Sequence, residues 1–405
     1  MSASGTFDVV IVGAGVGGAA LALGLGHAYP LRTLILERQP GPGKINRGDS
    51  LLPAVTRQLS AWNALERFQA AGARPLAKMQ IFHHRAGLLL ETPLTALGSP
   101  DPYLVLPHPA IERTFIECAL ATKRVRVDYG CRVVRLLEEG SRVSGVAYVG
   151  PEGEEKTVGA RLVVGADGSR SVVRSGLGIR FERVPYDHSY FGMELDRPRE
   201  YEDAMRIELH PDGGILIVPN PSSSRVGIGV LVRRGMEDVF SNGRMDDPMA
   251  EIRRRSRLFE GCHPVAKSSH LYRLSRAHAA QYVARGAVLL GDAAHVTNPT
   301  AGQGMTMAVE DAAALARYIG PALVAGKEGQ ELDFAFQGYE SERRAANAAM
   351  IRWSHWMSLF YAWPNALGDW LRHRVFAFGG SPMGRMLHKA IWNRVACRTQ
   401  YGEAI

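Results

Sequence analysis

Cysteine is scarce: Cys118, Cys131, Cys262 and Cys397 are the only four in 405 residues. They lie far apart with no C-x-x-C pair, which excludes a disulfide framework and the usual zinc spacings and fits reduced thiols in a cytoplasmic protein. A secretory leader is also not expected, since Met1 to Phe7 holds no basic residue and no small-residue cleavage site follows. Internal repeats and low-complexity tracts are absent. Acidic residues are outnumbered 48 to 40, a net charge of +8. The basic excess forms no clustered stripe, so nucleic acid is not an expected partner, whereas an anionic cofactor or an acidic membrane surface suits it. Tryptophan is nearly missing from the first 345 residues, with Trp62 alone. The one long uncharged run, Val9 to Gly26, has the length of a membrane span, but its glycines fit a turn and a helix better. At this length one large domain or two intimately joined ones can bury a substantial core.

That uncharged run is where the chain says most. Val9 to Val12 form an unbroken β-branched stretch suited to a strand buried on both faces. Gly13, Gly15 and Gly18 follow in the spacing G-x-G-x-x-G, and then helix-forming Ala19 to Leu23. In such an arrangement the first glycine permits the tight turn, the second lets backbone approach a pyrophosphate, and the third lets helix pack on strand. The helix N-terminus offers N–H groups and partial positive charge to the phosphates. A second strand, Thr33 to Leu36, ends at Glu37, where a ribose hydroxyl would be gripped. Strand, glycines, helix, strand and acid, in that order, predict a dinucleotide site.

Beyond it the pattern alternates. A turn-rich loop starts at Arg38, residues 54–71 read as helical, and Gln80 to His84 with Leu88 to Thr92 read as a hairpin. Pro107-His108-Pro109 opens a helix to Thr122, and a buried strand, Ala160 to Val164, runs into Gly165-Ala166-Asp167-Gly168. Residues 181–270 change character to short alternating strands, predicting an antiparallel sheet. The buried-strand pattern returns at Ala287 to Leu290, followed by Gly291-Asp292-Ala293-Ala294-His295 and a long amphipathic helix from Gly304 to about Tyr318. The fold class is therefore α/β with a discontinuous Rossmann-like nucleotide-binding domain. Its segments are expected at 1–75, 105–180 and 285–345, with a β-sheet substrate domain at 76–104 and 181–284. The C-terminal segment, 346–405, is helical and carries five tryptophans among arginines. It reads either as helices packed over the catalytic domain or as an interfacial helix touching a membrane, because Trp353, Trp356, Met357 and Phe360 share helical spacing.

Gly13-x-Gly15-x-x-Gly18, Gly165-Ala-Asp167-Gly168 and Gly291-Asp292-Ala-Ala-His295 with Pro299 and Gly302-Gln303-Gly304 stand in a fixed order. This resembles the class A flavoprotein monooxygenases, the para-hydroxybenzoate hydroxylase-like family, over roughly residues 5–345. The resemblance implies one FAD, NADH or NADPH as co-substrate, and insertion of one oxygen atom from O2 through a flavin C4a-hydroperoxide. Carried over, Glu37 is similar to the acid that binds the adenosine ribose, and Asp292 to the aspartate on the ribityl chain. Pro299 and the backbone of Ala301 to Met305 resemble the loop beside the isoalloxazine, where N–H groups and helix dipole stabilise the reduced ring. Arg47 resembles an arginine near the flavin, with Arg38 beside the same cleft. Asp167 belongs to a fingerprint serving FAD and NAD(P)H. One departure stands out: where many members have an arginine opening the helix, this chain has His108, so either His108 substitutes or Arg113 reaches the cofactor.

Pro299, Arg47 and His295 are the candidate catalytic residues, with His295 a proton shuttle or a structural histidine. His83 and His84, as neighbours on a strand, are expected to face opposite sides and so to form no metal pair. The activity implied is hydroxylation of an apolar aromatic or phenolic small molecule. Epoxidation of an isoprenoid or alkene and reduction of an isoprenoid double bond are the alternatives on the same fold. A halogenase is disfavoured because Trp-x-Trp-x-Ile-Pro is missing. A non-catalytic relative without FAD is disfavoured by the intact glycines, Glu37 and Asp292.

Overall fold

The computed structural model describes residues 7–43, 48–220, 224–241, 244–392 and 395. Arg47 and Cys397 lie outside the described residues.

The first sheet is built on the β-branched runs. Its spatial order is Val283–Ala284, Ala287–Leu289, Glu155–Gly165, Phe7–Val12, Thr33–Glu37 and Val125–Tyr129. All neighbouring pairs are parallel except the outermost, 283–284 with 287–289. Val9, Val10, Ile11, Ile35 and Val163 have no solvent exposure, as strands covered on both faces must. An antiparallel hairpin, Arg132–Glu139 and Arg142–Val149, extends from the outer half of Glu155–Gly165.

The helices, in chain order, are α1 (Val16–Ala28), α2 (Pro53–Ala61), α3 (Leu65–Ala70), α4 (His108–Ala121), α5 (Val172–Gly176), α6 (Glu237–Ser241), α7 (Asp246–Arg255), α8 (Gly304–Val324), α9 (Gly329–Ala362), α10 (Asn365–Gly379) and α11 (Pro382–Trp392). The expected single helix over 54–71 is two, α2 and α3, broken where Asn63 takes φ +53°. α8 outruns its predicted end and is buried around most of its circumference, Glu310 and Asp311 included. The expected long helix is therefore present, and it is a central one.

The second sheet has the order His295–Val296, His270–Ala279, Phe181–Asp196, Arg225–Arg233, Ile215–Pro219, Ala204–Leu209, Lys78–His83, Gly87–Pro93. It is antiparallel except between Ala204–Leu209 and Lys78–His83. One face packs Phe191, Ile215, Ile217, Ile228 and Val230 against Phe240, Met249, Ile252 and Phe259 of the α6–α7 region. The opposite face looks toward the small sheet Gly48–Leu51, Leu104–Pro107, Arg74–Pro75, with Val218 packing on Leu52 and Val105. Among the described residues no helix is long and apolar enough to cross a membrane.

Candidate cofactor and substrate site

The three glycine-bearing segments interlock through backbone. Gly13 has φ +104°, and a Cβ there would lie 2.5 Å from the Ala166 carbonyl oxygen. A Cβ on Gly18 would collide with the Gly13 carbonyl and lie 3.2 Å from Ala166 Cβ. Gly15 differs: nothing stands within 4 Å of where its Cβ would be. Two of the glycines are therefore consumed by packing, and the third faces open space. The Leu290 amide donates to the Gly165 carbonyl at 3.0 Å. Arg174 donates through Nη1 to the Ala293 carbonyl at 2.8 Å and through Nη2 to Ser169 at 3.0 Å. This arginine, which the sequence did not single out, fastens the second segment to the third.

Beside Gly15 runs a cleft lined by Ala14, Glu37, Gln39, Gly43, Glu112 and Tyr129. Glu37 ends its strand here, accepting from the Ala14 amide through Oε2 and the Gln39 amide through Oε1, both at 2.8 Å. α1 starts at this cleft with no side-chain cap and no acid in its first turn. α8 begins in the same condition, and the two run side by side: a Cβ on Gly17 would sit 3.4 Å from Ala308 Cβ. Two long helices thus turn uncapped, positively polarised ends to one region.

The third segment carries the chain between the sheets. Gly291, φ +58°, makes the turn after Ala287–Leu289 and donates its amide to Asp311 Oδ2 at 3.1 Å. Asp292 is exposed beside it, His295 and Val296 pair with His278 and Ala277 of the second sheet, and Pro299 and Gly302 are exposed ahead of α8. Asn298 Oδ1 accepts from the Thr300 amide at 2.9 Å, while its carbonyl accepts from Ser354 Oγ at 2.7 Å, fixing this turn to α9. Gln303 is buried, Gly304 opens α8 and Met305 is half-buried behind it.

His295 is placed differently from a solvent-linked shuttle. It is 1% exposed, and its Nε2 lies 2.6 Å from Asp311 Oδ2. Asp311 also accepts from Arg343 Nε at 2.8 Å and Asn347 Nδ2 at 2.9 Å, and Arg343 donates to Glu310 at 2.9 Å. Burial alone would raise the Asp311 carboxyl; His295 and Arg343 overcome it and hold it far below the usual carboxylate range. The signal for this network was two acids inside an apolar helix.

The remaining candidates spread out. His108 Nε2 lies 3.2 Å from Glu112 Oε1 at the mouth of the cleft, and Glu112 Oε2 accepts from the Gly43 amide. Arg113 points along the outside of α4 toward Glu117, 3.9 Å away and more than half exposed. Arg38 is exposed at the cleft rim. Asp167 Oδ2 accepts from the Val172 amide at 2.6 Å; burial pushes its carboxyl up against the pull of Ser171 and Val172.

The histidine pair corrects an expectation. The strand stops at His83, so His84 escapes the alternation and both Nε2 atoms converge on Asp369 Oδ2, at 3.3 and 3.5 Å. His83 Nδ1 accepts from the Arg85 and Ala86 amides. The ring hydrogen therefore sits on Nε2, facing the carboxylate. His83 and Asp369 form a hydrogen-bonded latch between the hairpin and α10, with the His84 ring close beside the same carboxylate.

The second sheet supplies a feature the sequence reading passed over. Opposed residues share a face and neighbours alternate. Gly192 pairs with Gly229, Glu194 with Gly227, Gly229 with Leu216 and Tyr190 with Tyr272. The face toward the small sheet thus has no side chain of its own at Gly192, Gly227 and Gly229. The Tyr190 and Tyr272 rings lie over Gly229 and Gly192, with Leu216 and the buried Glu194 and Val218 on the same face. Tyr190 lies across Gly229, its hydroxyl filling the space a side chain there would need.

Comparison with known proteins supports one assignment. The family described as "FAD binding domain" matches residues 6–354. The chain belongs to that family. The flavoprotein is similar to the mouse mitochondrial ubiquinone biosynthesis monooxygenase COQ6, 27% identical over 398 residues, covering 86% of this chain and 83% of the relative. It is also similar to the 3-demethoxyubiquinol 3-hydroxylase of Escherichia coli, 28% identical over 369 residues, 88% of this chain and 89% of the relative. Its fold matches the p-nitrophenol 4-monooxygenase PnpA of Pseudomonas putida with TM-score 0.82 at 20% identity, covering 98% and 99% of the two chains. The resemblance to class A flavoprotein monooxygenases holds, the cofactor is FAD, and the protein is an FAD-dependent monooxygenase. The residues fit that cofactor: open backbone at Gly15, two uncapped helix ends and a ribose-height carboxylate share one region.

Proposed function

We propose that this flavoprotein hydroxylates a largely apolar aromatic or phenolic small molecule, using NADH or NADPH and O2. The observation that carries the proposal is the pair of tyrosine rings, Tyr190 and Tyr272, laid over the glycines Gly229 and Gly192 on the side of the sheet that looks toward the small sheet. FAD supplies the oxygen-activating redox chemistry when bound.

The chain's own residues then divide the work. Gly13, Gly15 and Gly18 with the start of α1 take the pyrophosphate. Glu37 takes the adenosine ribose, Asp292 the ribityl chain, Arg38 and His108 lie toward the cleft, and Arg47 keeps the flavin-side role that the family resemblance implies. Gly291 shapes the turn before Asp292. Pro299, Gly302, Gln303, Gly304 and Met305 take the isoalloxazine edge, where the N–H groups of the α8 end favour negative charge. Tyr190 and Tyr272, lying over the glycines, offer ring faces to the substrate, and Tyr190 Oη is the group to hydrogen-bond a phenolic hydroxyl. Leu216 and Val218 keep water away. His295 acts through Asp311, holding the Gly291 turn in shape. The names of the ubiquinone-pathway relatives favour a quinol-like ring as the substrate class.

Purified holoenzyme should oxidise NADH or NADPH faster when a matching phenol is added, and 18O from labelled O2 should appear in the product. Oxidation indifferent to every member of a broad phenolic panel would overturn the proposal. Epoxidation of an alkene is the second reading, favoured by the wholly apolar Leu216–Val218 edge; product analysis with an alkene against a phenol separates the two.

A further inference from the structure

Helix α11 turns outward the face that helices ordinarily bury. Met383, Met386, Leu387 and Ile391 recur at i, i+3, i+4 and i+8, the spacing of a core-facing stripe. They are nevertheless 68, 75, 54 and 38% exposed. The adjoining face is the one that packs: Gly384 is buried against the Phe378 carbonyl, His388 lies on Thr92, and Trp392 donates to the Tyr103 hydroxyl. On α10, Leu367, Trp370, Val375 and Phe378 are exposed as well, and at the end of α9 so are Trp356, Leu359 and Trp363. Large apolar groups gathered on one part of a surface mark an interaction site.

Charge says what covers it. Residues 350–392 hold five Lys or Arg and a single acid, Asp369. That acid is turned inward onto His83 and His84, while Arg352, Arg374, Arg385 and Lys389 are exposed. A second copy of the same face would set like charges against each other. An anionic surface with an apolar interior satisfies both halves of the patch, with tryptophans suited to the headgroup level.

We propose that α10, α11 and the end of α9 seat the enzyme on an anionic lipid bilayer. The α11 stripe enters the acyl boundary, and Arg374, Arg385 and Lys389 meet lipid phosphates. The docking is peripheral and independent of which substrate the flavin site takes.

Cosedimentation of FAD-loaded protein with phosphatidylglycerol–phosphatidylcholine vesicles, against pure phosphatidylcholine, tests it. At about fivefold per basic residue near the surface, three of them should favour the anionic vesicles by about a hundredfold, and added salt should erode the preference. Met386→Glu with Leu387→Glu should abolish binding. Lys389→Glu, a single change at an exposed position, should weaken it by about fivefold or more with FAD content and melting temperature unchanged. Equal binding to both vesicle types, or variants that sediment like the parent, would overturn the proposal. So would a Met386→Glu effect confined to breaking a dimer. Turnover of a soluble phenol by Lys389→Glu reports separately on the hydroxylase proposal, so the two can fail independently.

Discussion

Replacing Gly15 and Gly18 singly by alanine should separate the glycine that serves the ligand from the glycine that serves the fold. Gly15 has φ −62° and ψ 175°, a conformation open to any L-residue, and its Cβ would point into empty space. Alanine there trims the entropy of the unfolded chain, worth about 0.4–1 kcal/mol. It is also a poorer N-cap than glycine, costing roughly the same, so apoprotein stability should change by less than about 1 kcal/mol. The added methyl occupies the ground a pyrophosphate must cross, and FAD affinity should drop at least about tenfold, roughly 1.4 kcal/mol. Gly18→Ala reverses the balance. Its methyl collides with the Gly13 carbonyl and crowds Ile11 and Ala166, so helix and strand must part, at roughly 1–3 kcal/mol as in other overpacked sites. Urea unfolding of apoprotein followed by circular dichroism, with FAD titration by fluorescence, measures both quantities. Gly15→Ala that keeps parental FAD affinity, or Gly18→Ala with unchanged apoprotein stability, would refute the division.

Glu37→Gln should weaken FAD binding by about 1.5–3 kcal/mol, the worth of a charged hydrogen bond, read as a higher dissociation constant. It should also cost the apoprotein about 1–3 kcal/mol, because one of the Ala14 and Gln39 amides loses its acceptor. Arg343→Met leaves Asp311 and Glu310 buried without their cation and should cost about 3–5 kcal/mol in urea unfolding; a loss below about 1 kcal/mol would show that the network is not a tie. Stability should also fall with acid. Burial holds His210 and His278 at about 4 and lowers His83, His84 and His188. Their neutral forms contribute fully above the unfolded value of 6.5, and that contribution is lost as pH falls from there toward 4; a urea midpoint flat between pH 7 and 4.5 would contradict this. Tyr190→Phe should raise KM for a phenolic substrate with FAD content unchanged, and an unaltered KM would remove Tyr190 from the proposed substrate site.

What could be read in advance was whatever local rules dictate. β-branched runs became buried strands, and the order of the three glycine segments fixed the fold and the cofactor. The histidines were misjudged because alternation applies only inside a strand, and the strand ends one residue early, at His83. α8 looked amphipathic because Glu310 and Asp311 counted as solvent-facing. Only the distant Arg343, His295 and Asn347 make their burial tolerable, and no window of sequence holds all of them. The glycines beneath the tyrosine rings were unreadable for a similar reason. Gly192, Gly227 and Gly229 acquire meaning from cross-strand register between chain segments more than thirty residues apart.

The same contrast shows how the site is maintained. The surfaces we propose for the cofactor are mostly backbone: the turn at Gly13–Gly18, the first amides of α8 and the exposed loop at Pro299–Gly302. Backbone cannot be retuned by rotamer, so its position has to be set from behind. Three fastenings do this: Ala166 under Gly13 and Gly18, Arg174 on Ala293, and Asp311 on Gly291. The charged members are drawn from helices and loops far along the chain, and Asp311 is in turn held by Arg343 of α9. α9 also carries Ser354, on the carbonyl of Asn298, and leads directly into the outward-facing apolar helices. If the proposed lipid docking holds, a load on α10 and α11 would bear on α9, the element that fixes both ends of the segment from Gly291 to Asn298.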